Sequence, residues 1–201
     1  MRLPTLYVVR HGETEWNREG RFQGALDSPL TAKGRAQAVA VGEILRRHLG
    51  PAPDLSILHS PQGRAVHTLD LLRETTGWTV PTSADDRLRE IGVGDWAGRT
   101  RAEIHQEVTL PDGTPFLALY GLAPGGEGFA EVEARVRAVL ATLDGPTLIV
   151  THGITSRFIR ATALGLGQEG VMSVGGGQGV VDVLRDGTQE TWGELEDAEI
   201  L

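Results

Sequence analysis

Two histidines and two arginines in this sequence lie just after short apolar runs, or in the polar segments that follow them. Arg10 and His11 follow the first run, Arg64 belongs to the segment after the second, and His152 follows a later one. A neutral imidazole is nucleophilic and can carry a proton or a transferred group. A guanidinium offers a planar pair of donors to phosphate or carboxylate oxygens. Together these residue types suit chemistry on a small anionic group.

The apolar runs must become neighbouring strands if these side chains are to meet. Each run is short and rich in apolar residues, as expected for a buried strand of a parallel sheet. In open α/β sheets, ligands bind outside the carboxyl ends of the strands. We therefore expect the two histidines and two arginines to converge at one edge of a sheet. The three runs are Thr5–Val9, Leu55–His59 and Thr147–Val150.

Helical patterns alternate with the strands, which predicts an α/β fold of three layers, a mostly parallel sheet flanked by helices. Thr31 is predicted to cap a helix that runs to about Leu49, with Val39 and Leu45 near its apolar face. The pattern further predicts helices over Arg64–Thr76, Phe129–Leu143 and Ile154–Leu164, a strand over Thr79–Thr82, and a hairpin of Val180–Leu184 and Gln189–Leu195 with Asp186-Gly187 at its turn.

The segment from about residue 100 to residue 128 breaks this alternation. Prolines and glycines at close spacing end regular elements, and here they separate short helical patterns. We interpret the segment as a small helical cap inserted over the site, within a single domain that spans residues 1–201. The breakers are Pro111, Gly113, Pro115 and the run Pro124-Gly125-Gly126.

Composition limits the partners of the chain. It has 201 residues, no cysteine, a formal net charge of −8 and a pI near 5.2. The absence of cysteine excludes disulfides, thiolate catalysis and cysteine-ligated zinc. The negative charge disfavours nucleic acid and anionic membranes as partners. The first apolar run is too short for a signal peptide, so we expect a cytoplasmic protein, with a homodimer as an open possibility.

The polar segments resemble the motifs of a known family. Arg10-His11-Gly12-Glu13-Thr14 is similar to the leading motif of the histidine phosphatase superfamily, whose fold is phosphoglycerate mutase-like. Each block alone is weak evidence, but the ordered set along nearly the whole chain is specific. The further blocks are Asn17, Gly20–Gly24, Asp27–Thr31, Ser60-Pro61 with Arg64-Ala65 and Thr68, Leu88-Arg89-Glu90, Pro124–Glu127 and Thr151-His152-Gly153.

The resemblance implies a role for each matching residue. His11 would be the nucleophile that holds the phosphoryl group as a phosphoramidate. Arg10 and Arg64 would stabilise the charge on the phosphoryl oxygens, and a protonated His152 would add a third cationic donor. Contacts to phosphate or substrate are implied for Asn17, Gln23, Gly24 and Gly153.

A carboxyl group must protonate the leaving oxygen, and the resemblance implies Glu90 for this role. The same carboxylate would then take a proton from the water that hydrolyses phosphohistidine. Glu13 is the alternative carboxylate. We expect no cofactor and no metal, because arginines supply the positive charge and because His11 and His152 fit no zinc-ligand spacing.

The superfamily contains both phosphatases and mutases, and the sequence favours a phosphatase. Residues 92–98 resemble an element of the phosphatase branch, although Val93 and Ala97 depart from its commoner residues. Ile154 stands where mutases usually have asparagine, and a short cap would admit water. We expect a phosphomonoesterase for a small phosphorylated metabolite. The alternatives are a cofactor-dependent phosphoglycerate mutase and a phosphate-binding module without catalysis.

Two further features are singled out by the sequence. The glycine-rich run Gly175–Gly179 lacks both the spacing and the lysine of nucleotide-binding loops, so it predicts a turn that enters a strand. His105, in the predicted cap, is a candidate for contact with substrate. Neither feature is part of the site that the resemblance implies.

Overall fold

The computed structural model of the protein describes residues 3–108 and 116–194, in which a six-stranded sheet is flanked by helices. The strands are β1 (Leu6–Arg10), β2 (Ser56–His59), β3 (Thr82–Ala84), β4 (Thr147–Thr151), β5 (Val181–Arg185) and β6 (Thr188–Trp192). The helices are α1 (Glu15–Arg18), α2 (Ala32–Leu49), α3 (Gly63–Thr76), α4 (Arg101–Glu107), α5 (Phe129–Leu140) and α6 (Gly153–Ala163). Short 3-10 helices occupy Asp86–Leu88, Gly94–Trp96, Phe116–Leu122 and Glu169–Met172.

The strand order across the sheet is β3-β2-β4-β1-β5-β6. The first four strands in this order are parallel, whereas β5 is antiparallel to β1 and pairs with β6 as a hairpin. β4 lies between β1 and β2, with Thr151 opposite Arg10 and Val150 opposite His59. The predicted fold class, a mostly parallel sheet flanked by helices, is confirmed. The carboxyl ends of β1, β2 and β4 lie side by side.

Alternation along β1 divides the core into two layers, because successive side chains of a strand point to opposite faces of the sheet. Leu6 and Val8 pack into one apolar cluster, together with residues of α5 and α6. Tyr7 and Val9 pack into the other, together with residues of α2 and α3. Burial of one large apolar side chain contributes about 1.5–3 kcal/mol. The sheet is therefore held between two pairs of helices, and the ends of its strands are fixed.

Helix α2 begins as predicted, and β3 does not. The hydroxyl of Thr31 accepts the N–H of Gly34 (2.9 Å), which caps the first turn of α2. β3 starts only at Thr82, the last residue of the predicted strand, because its pairing with β2 begins where Thr82 lies opposite Ile57. Val80 packs against the core without joining the sheet. The apolar pattern of residues 79–82 therefore indicates burial and does not locate the start of the strand.

The predicted turn between β5 and β6 is confirmed. Asp186 and Gly187 have φ angles of 50° and 75°. Positive φ at both central residues is what a two-residue type I′ hairpin turn requires, and Asp-Gly is among its preferred sequences. β6 ends at Trp192, and Leu195, the predicted end of this strand, lies outside the described residues.

The segment predicted as a cap contains α4 and the 3-10 helix Phe116–Leu122. This 3-10 helix packs on the core through Phe22, whose ring centroid lies 5.8 Å from that of Phe116 and 4.8 Å from that of Tyr120. Among the helices described, none is both long and apolar enough to cross a membrane. Three of the predicted breakers lie outside the described residues: Pro111, Gly113 and Pro115.

Candidate active site

Neighbouring strand ends bring the two histidines together. His11 directly follows β1 and donates its main-chain N–H to the carbonyl of Thr151 on β4 (2.9 Å). His152 directly follows β4, so the centroids of the two imidazole rings lie 5.2 Å apart. Arg64, in the first turn of α3, follows β2 and acts electrostatically on both rings. The structure thus places these groups at one edge of the sheet, where the sequence predicted them.

Two glycines let the segment that carries His11 pack closely on α2. A Cβ atom added to Gly12 would lie 2.2 Å from the carbonyl oxygen of Gly34. One added to Gly34 would lie 2.0 Å from the carbonyl oxygen of Glu13. Both distances are far shorter than van der Waals contact, so any larger residue would force α2 away. Gly12 also donates its N–H to the hydroxyl of Thr68 on α3 (3.1 Å).

Hydrogen bonding fixes the tautomer of His11. Its Nδ1 lies 2.8 Å from the carbonyl oxygen of Gly12. A carbonyl only accepts, so Nδ1 carries the proton and Nε2 carries the lone pair. Burial lowers the pKa of His11 well below its ordinary value, and the charges of Arg64 and Arg10 lower it further. The ring is therefore neutral at neutral pH and can act as a nucleophile through Nε2.

His152 is also buried, but its hydrogen bond leaves the tautomer open. Its Nε2 lies 2.7 Å from the hydroxyl of Ser60, which can donate or accept. Its Nδ1 is buried and has no hydrogen-bond partner among the described residues. Burial lowers the pKa of His152 well below its ordinary value, and Arg64, His11 and Arg10 lower it further. Burial and the neighbouring charges therefore favour the neutral ring in this structure, whereas the third cationic donor implied by the resemblance requires a protonated His152.

The guanidinium of Arg64 is held on one side and leaves a fork on the other. Its Nη1 donates to the carbonyl of Leu26 (2.8 Å) and to the carboxylate of Asp27 (2.6 Å). Its Nη2 donates to the carbonyl of Gly24 (3.0 Å). Nε–H and the second Nη2–H are left, and Nε has no hydrogen-bond partner within the described part of the chain. These two adjacent donors suit two oxygens of one phosphate group.

Arg10 lies beside the first turn of α6. A Cβ atom added to Gly153 would lie 3.4 Å from Nε of Arg10 and 3.5 Å from Oε2 of Glu90. Both side chains therefore lie close to Gly153, at the N-terminus of α6. The N–H groups of such a terminus favour anions. Arg10 and Arg64 together surround His11 with positive charge, as its lowered pKa reflects.

Glu90 places its carboxyl group at the start of α6. Oε2 accepts the N–H of Ile154 (3.2 Å), and Oε1 accepts the N–H groups of Thr155 (3.2 Å) and Ile91 (3.0 Å). Thr155 also donates its hydroxyl to the carbonyl of Arg89 (2.7 Å), which holds the chain around Glu90. The position of this carboxyl group is therefore well defined.

Glu13 serves the packing of α2. Its Oε1 accepts the hydroxyl of Thr31 (2.7 Å), the residue that caps α2, and its N–H donates to Oε1 of Gln37 (2.9 Å) on that helix. Glu90 lines the cavity beside His11, and Glu13 is not among the residues that line it. The geometry favours Glu90 over Glu13 as the carboxyl group of the site.

Asn17 and Gln23 are joined through Thr14. Thr14 donates its N–H to Oδ1 of Asn17 (3.1 Å), and its hydroxyl accepts from Nε2 of Gln23 (2.8 Å). Gly24 has a φ angle of 54°, and a Cβ atom there would lie 2.6 Å from the side chain of Val93. Glycine is therefore required at Gly24 both by the backbone conformation and by the space.

One cavity collects these groups. Every predicted site residue lines it except His152, whose exposed fraction is 0%. A larger cavity at the other end of β1, between Leu3 and Gly187, contains no histidine. Within residues 3–108 and 116–194, no three histidine or acidic side chains are grouped so as to hold a metal ion. The lining residues of the first cavity are Arg10, His11, Asn17, Arg21, Gln23, Gly24, Arg64, Glu90, Tyr120, Gly153 and Ile154.

Three residues of the site were not predicted. Arg21 lines the cavity while its Nη1 donates to the carbonyl of Gly98 (2.9 Å). Tyr120 reaches the cavity from its 3-10 helix, and burial together with Glu90 raises the pKa of its hydroxyl. Gln62 joins two parts of the site, since its Nε2 donates to the carbonyl of Gly24 (2.7 Å) and its Oε1 accepts the N–H of Glu90 (2.7 Å).

Only Arg21 and Gln62 had any signal in the sequence, because each lies inside a block that matches the family. Tyr120 had none, because its segment has no recognisable motif and reaches the site only through tertiary packing. His105 lies against the ring of Phe116, at 5.9 Å between centroids, and does not line the cavity.

Comparison with known proteins agrees with this geometry. The sequence pattern described as "Histidine phosphatase superfamily (branch 1)" matches residues 6–192. The chain is 40% identical over 171 residues to "Probable phosphoglycerate mutase GpmB" of Salmonella paratyphi C, which covers 80% of this chain and 75% of that protein.

Solved structures extend the likeness to the fold. A mycobacterial glucosyl-3-phosphoglycerate phosphatase in complex with VO3 superposes with a TM-score of 0.76 and 32% identity, covering 98% of this chain and all of the other (100%). A candidate alpha-ribazole-5'-P phosphatase of Escherichia coli K-12 superposes with a TM-score of 0.75 and 25% identity, covering 98% of both chains. The chain belongs to the histidine phosphatase superfamily.

Proposed function

We propose that the protein is a phosphomonoesterase that hydrolyses a small phosphorylated metabolite through a phosphohistidine on His11. One observation carries this proposal. The Nδ1–H of His11 bonds to the carbonyl of Gly12 while burial and two arginines keep the ring neutral, so Nε2 is a free base in a cationic pocket. A phosphoryl group that enters the pocket meets a nucleophile and charge-stabilising donors at once.

The first half of the reaction transfers the phosphoryl group. Nε2 of His11 attacks phosphorus as the bond from phosphorus to the leaving oxygen breaks. The fork of Arg64, together with Arg10, stabilises the charge on the phosphoryl oxygens. Glu90, in its protonated form, gives its proton to the leaving oxygen, and the alcohol departs. Neutral His152 contributes one N–H donor.

The second half hydrolyses the phosphohistidine. The Glu90 carboxylate takes a proton from a water molecule as the water oxygen attacks phosphorus. The bond between phosphorus and Nε2 breaks, and inorganic phosphate leaves with His11 restored. The N–H groups of Ile154 and Thr155 contact the two oxygens of this carboxyl group and position it beside the cavity.

A mutase would return the phosphoryl group to an organic acceptor instead of water. The similarity to a probable phosphoglycerate mutase keeps this as the second candidate. The side chain of Ile154 is apolar and 1% exposed, and it packs in the core cluster. It therefore offers no amide to a substrate carboxylate. This feature, and the likeness over 98% of the chain to a glucosyl-3-phosphoglycerate phosphatase, support hydrolysis.

The test is a phosphatase assay over a panel of metabolites. The panel contains p-nitrophenyl phosphate, glucosyl-3-phosphoglycerate, alpha-ribazole phosphate and 3-phosphoglycerate, the last with and without 2,3-bisphosphoglycerate. Inorganic phosphate and 2-phosphoglycerate are measured in parallel, before and after treatment with EDTA. We expect phosphate release that survives chelation, and from 3-phosphoglycerate at least as much inorganic phosphate as 2-phosphoglycerate.

Each other outcome selects an alternative. If 2-phosphoglycerate forms many times faster than phosphate is released, the protein is a mutase. If phosphate binds but no compound turns over, it is a binding module. Activity that is lost on chelation and returns with Mg²⁺ would contradict the mechanism that relies on arginine alone.

A further inference from the structure

The glycine-rich run enters β5 as predicted, and its last side chain reaches the active site. Nε2 of Gln178 lies 2.9 Å from the carbonyl oxygen of His11 and 3.3 Å from Oδ1 of Asn17. Both partners accept hydrogen bonds, so the amide nitrogen of Gln178, with its two N–H groups, fits between them. One side chain from the far end of the chain thus joins the nucleophile to a residue that lines the phosphate cavity.

At Asn17, this contact orients the amide group. Oδ1 accepts the N–H of Thr14 (3.1 Å) as well as the N–H of Gln178. With two donors on the oxygen, the Nδ2 group is turned to the other side, and Asn17 lines the cavity beside His11. Because Oδ1 is engaged in this way, Nδ2 is the part of the amide that is left to donate to an anionic phosphoryl group. The reverse orientation would place an oxygen against the phosphoryl oxygens.

At His11, the contact holds the main chain of the nucleophile. Its N–H donates to Thr151 (2.9 Å), its carbonyl accepts from Gln178, and its ring Nδ1 bonds to the carbonyl of Gly12 (2.8 Å). Without Gln178, the carbonyl of His11 loses this side-chain donor. A shift of about 1 Å in a reacting group can reduce a rate by about 100-fold.

The glycine-rich run is itself held by α6. Arg157 and Arg160, both on that helix and both buried, donate to the carbonyls of Val174 and Gly175. A Cβ atom added to Gly176 would lie 2.9 Å from Nη2 of Arg157, so the loop passes close to the end of this arginine side chain. The helix that begins at the Glu90 carboxyl therefore also anchors the loop that carries Gln178.

We propose that Gln178 is a positioning residue for phosphoryl transfer, which fixes the main chain of His11 and turns the amide of Asn17 toward the phosphoryl group. This inference rests on the proposed function. The pair of contacts at 2.9 and 3.3 Å carries it, because a single amide nitrogen serves both the nucleophile and the phosphate-binding side chain.

The experiment replaces Gln178 with two residues of similar length. Gln178→Met removes both donors, and Gln178→Glu replaces the donor group with a charged acceptor. Gln168→Met and Gln168→Glu are the matched controls. Gln168 is exposed and, like Gln178, precedes β5 in the sequence. With p-nitrophenyl phosphate, we expect kcat to fall by about 10- to 100-fold in both Gln178 variants. The controls should keep the wild-type kcat.

A double-mutant cycle tests the path through Asn17. If Gln178 acts partly by orienting that amide, the loss caused by Gln178→Met becomes several-fold smaller in the Asn17→Ala background. Losses that simply multiply would overturn this part of the proposal. Wild-type values of kcat in both Gln178 variants, or unfolding of both variants at the assay temperature, would overturn the positioning role. A wild-type protein with no phosphatase activity would instead refute the proposed function.

Discussion

The ends of β1 and β4 each place a buried histidine in the same site, yet the two rings differ in their partners. Nδ1 of His11 faces a carbonyl oxygen, which can only accept a hydrogen bond. Nε2 of His152 faces the hydroxyl of Ser60, which can donate or accept. Both rings are kept neutral by burial, followed by the charge of Arg64. The two rings therefore share the direction of the pKa shift and its first two causes, and they differ in the oxygen that each contacts.

This contrast assigns distinct tasks to two chemically identical side chains. The ring of His11 has one tautomer and one free lone pair, so it can attack phosphorus and must keep its geometry. The ring of His152 has no such fixed tautomer, because the hydroxyl of Ser60 can serve its Nε2 as donor or as acceptor. This assignment fails if the roles of His11 and His152 can be exchanged.

Replacing each histidine by alanine distinguishes the roles of His11 and His152 most clearly. His11→Ala should lower kcat by about 10⁴-fold or more, because a covalent nucleophile is lost. His152→Ala should cost about 10²–10³-fold, as for the loss of one charge-stabilising donor. Circular dichroism should show that both variants are folded. Rapid mixing with substrate, followed by peptide mapping, should find acid-labile phosphate on His11. Phosphate found on His152 would reverse the assignment.

The carboxyl group at the start of α6 should show the next largest effect. Glu90→Gln keeps the size of the side chain but removes the proton, so we expect a loss of about 10²–10⁴-fold in kcat. The loss should be smaller with p-nitrophenyl phosphate, whose leaving group hardly needs a proton. Phosphohistidine should accumulate, because the base for the second half of the reaction is missing.

Glu13→Gln is the matched control for this carboxyl group. Its carboxylate accepts the hydroxyl of Thr31 at the start of α2, so its replacement should cost much less activity. An equal or greater loss of activity in Glu13→Gln than in Glu90→Gln would indicate that Glu13, and not Glu90, is the acid.

Arg64 acts electrostatically on both histidines, so its removal should change the pKa of each. Arg64→Ala should lower kcat by about 10²–10³-fold. Its positive charge lowers the pKa of His11 and of His152, so its loss should raise both. The acid limb of the profile of kcat/KM against pH should therefore move to higher pH. Arg73→Ala, an exposed arginine on the same helix, is the control. An unchanged acid limb would show that no histidine titration governs activity.

Local patterns in the sequence predicted the elements whose boundaries are set locally. Thr31 caps α2 through a hydrogen bond within the first turn, and Asp186-Gly187 forms the hairpin turn through its own backbone preference. The convergence of the histidines followed from the rule that the ends of parallel strands meet at one edge. These features depend on neighbouring residues or on which polar segments directly follow a strand, and both can be identified in a sequence.

Features set by contacts between distant segments could not be predicted. Val39 was assigned to the buried face of α2 and is 37% exposed. The helix instead buries small residues such as Gly42, where a Cβ atom would lie 2.7 Å from Cβ of Thr75 on α3. The tautomer of His11 and the reach of Tyr120 and Gln178 likewise depend on where a main-chain oxygen or a loop lies in space. No spacing of residues along the chain reports those positions.

The smallest expected effect concerns stability against pH. A buried histidine whose pKa is lowered in the folded state binds a proton more readily when unfolded. The unfolded state therefore gains stability as pH falls below about 6.5, the ordinary pKa of histidine. For this reason, the stability that His11 contributes above that pH is lost progressively on acidification. Replacing it with glutamine removes one such group from the site.

Chemical denaturation of His11→Gln and wild type at pH 7.5 and 5.5 measures this effect. Between these two pH values, the variant should lose about 1 kcal/mol less of its free energy of unfolding than the wild type does. His67→Gln is the control, because that side chain is exposed, and it should follow the wild type. The same difference is expected for His152→Gln, since burial lowers both pKa values. If only one of the two variants becomes less sensitive to acid, the pKa of only one histidine is lowered on folding. His11 and His152 would then differ in charge state as well as in hydrogen bonding.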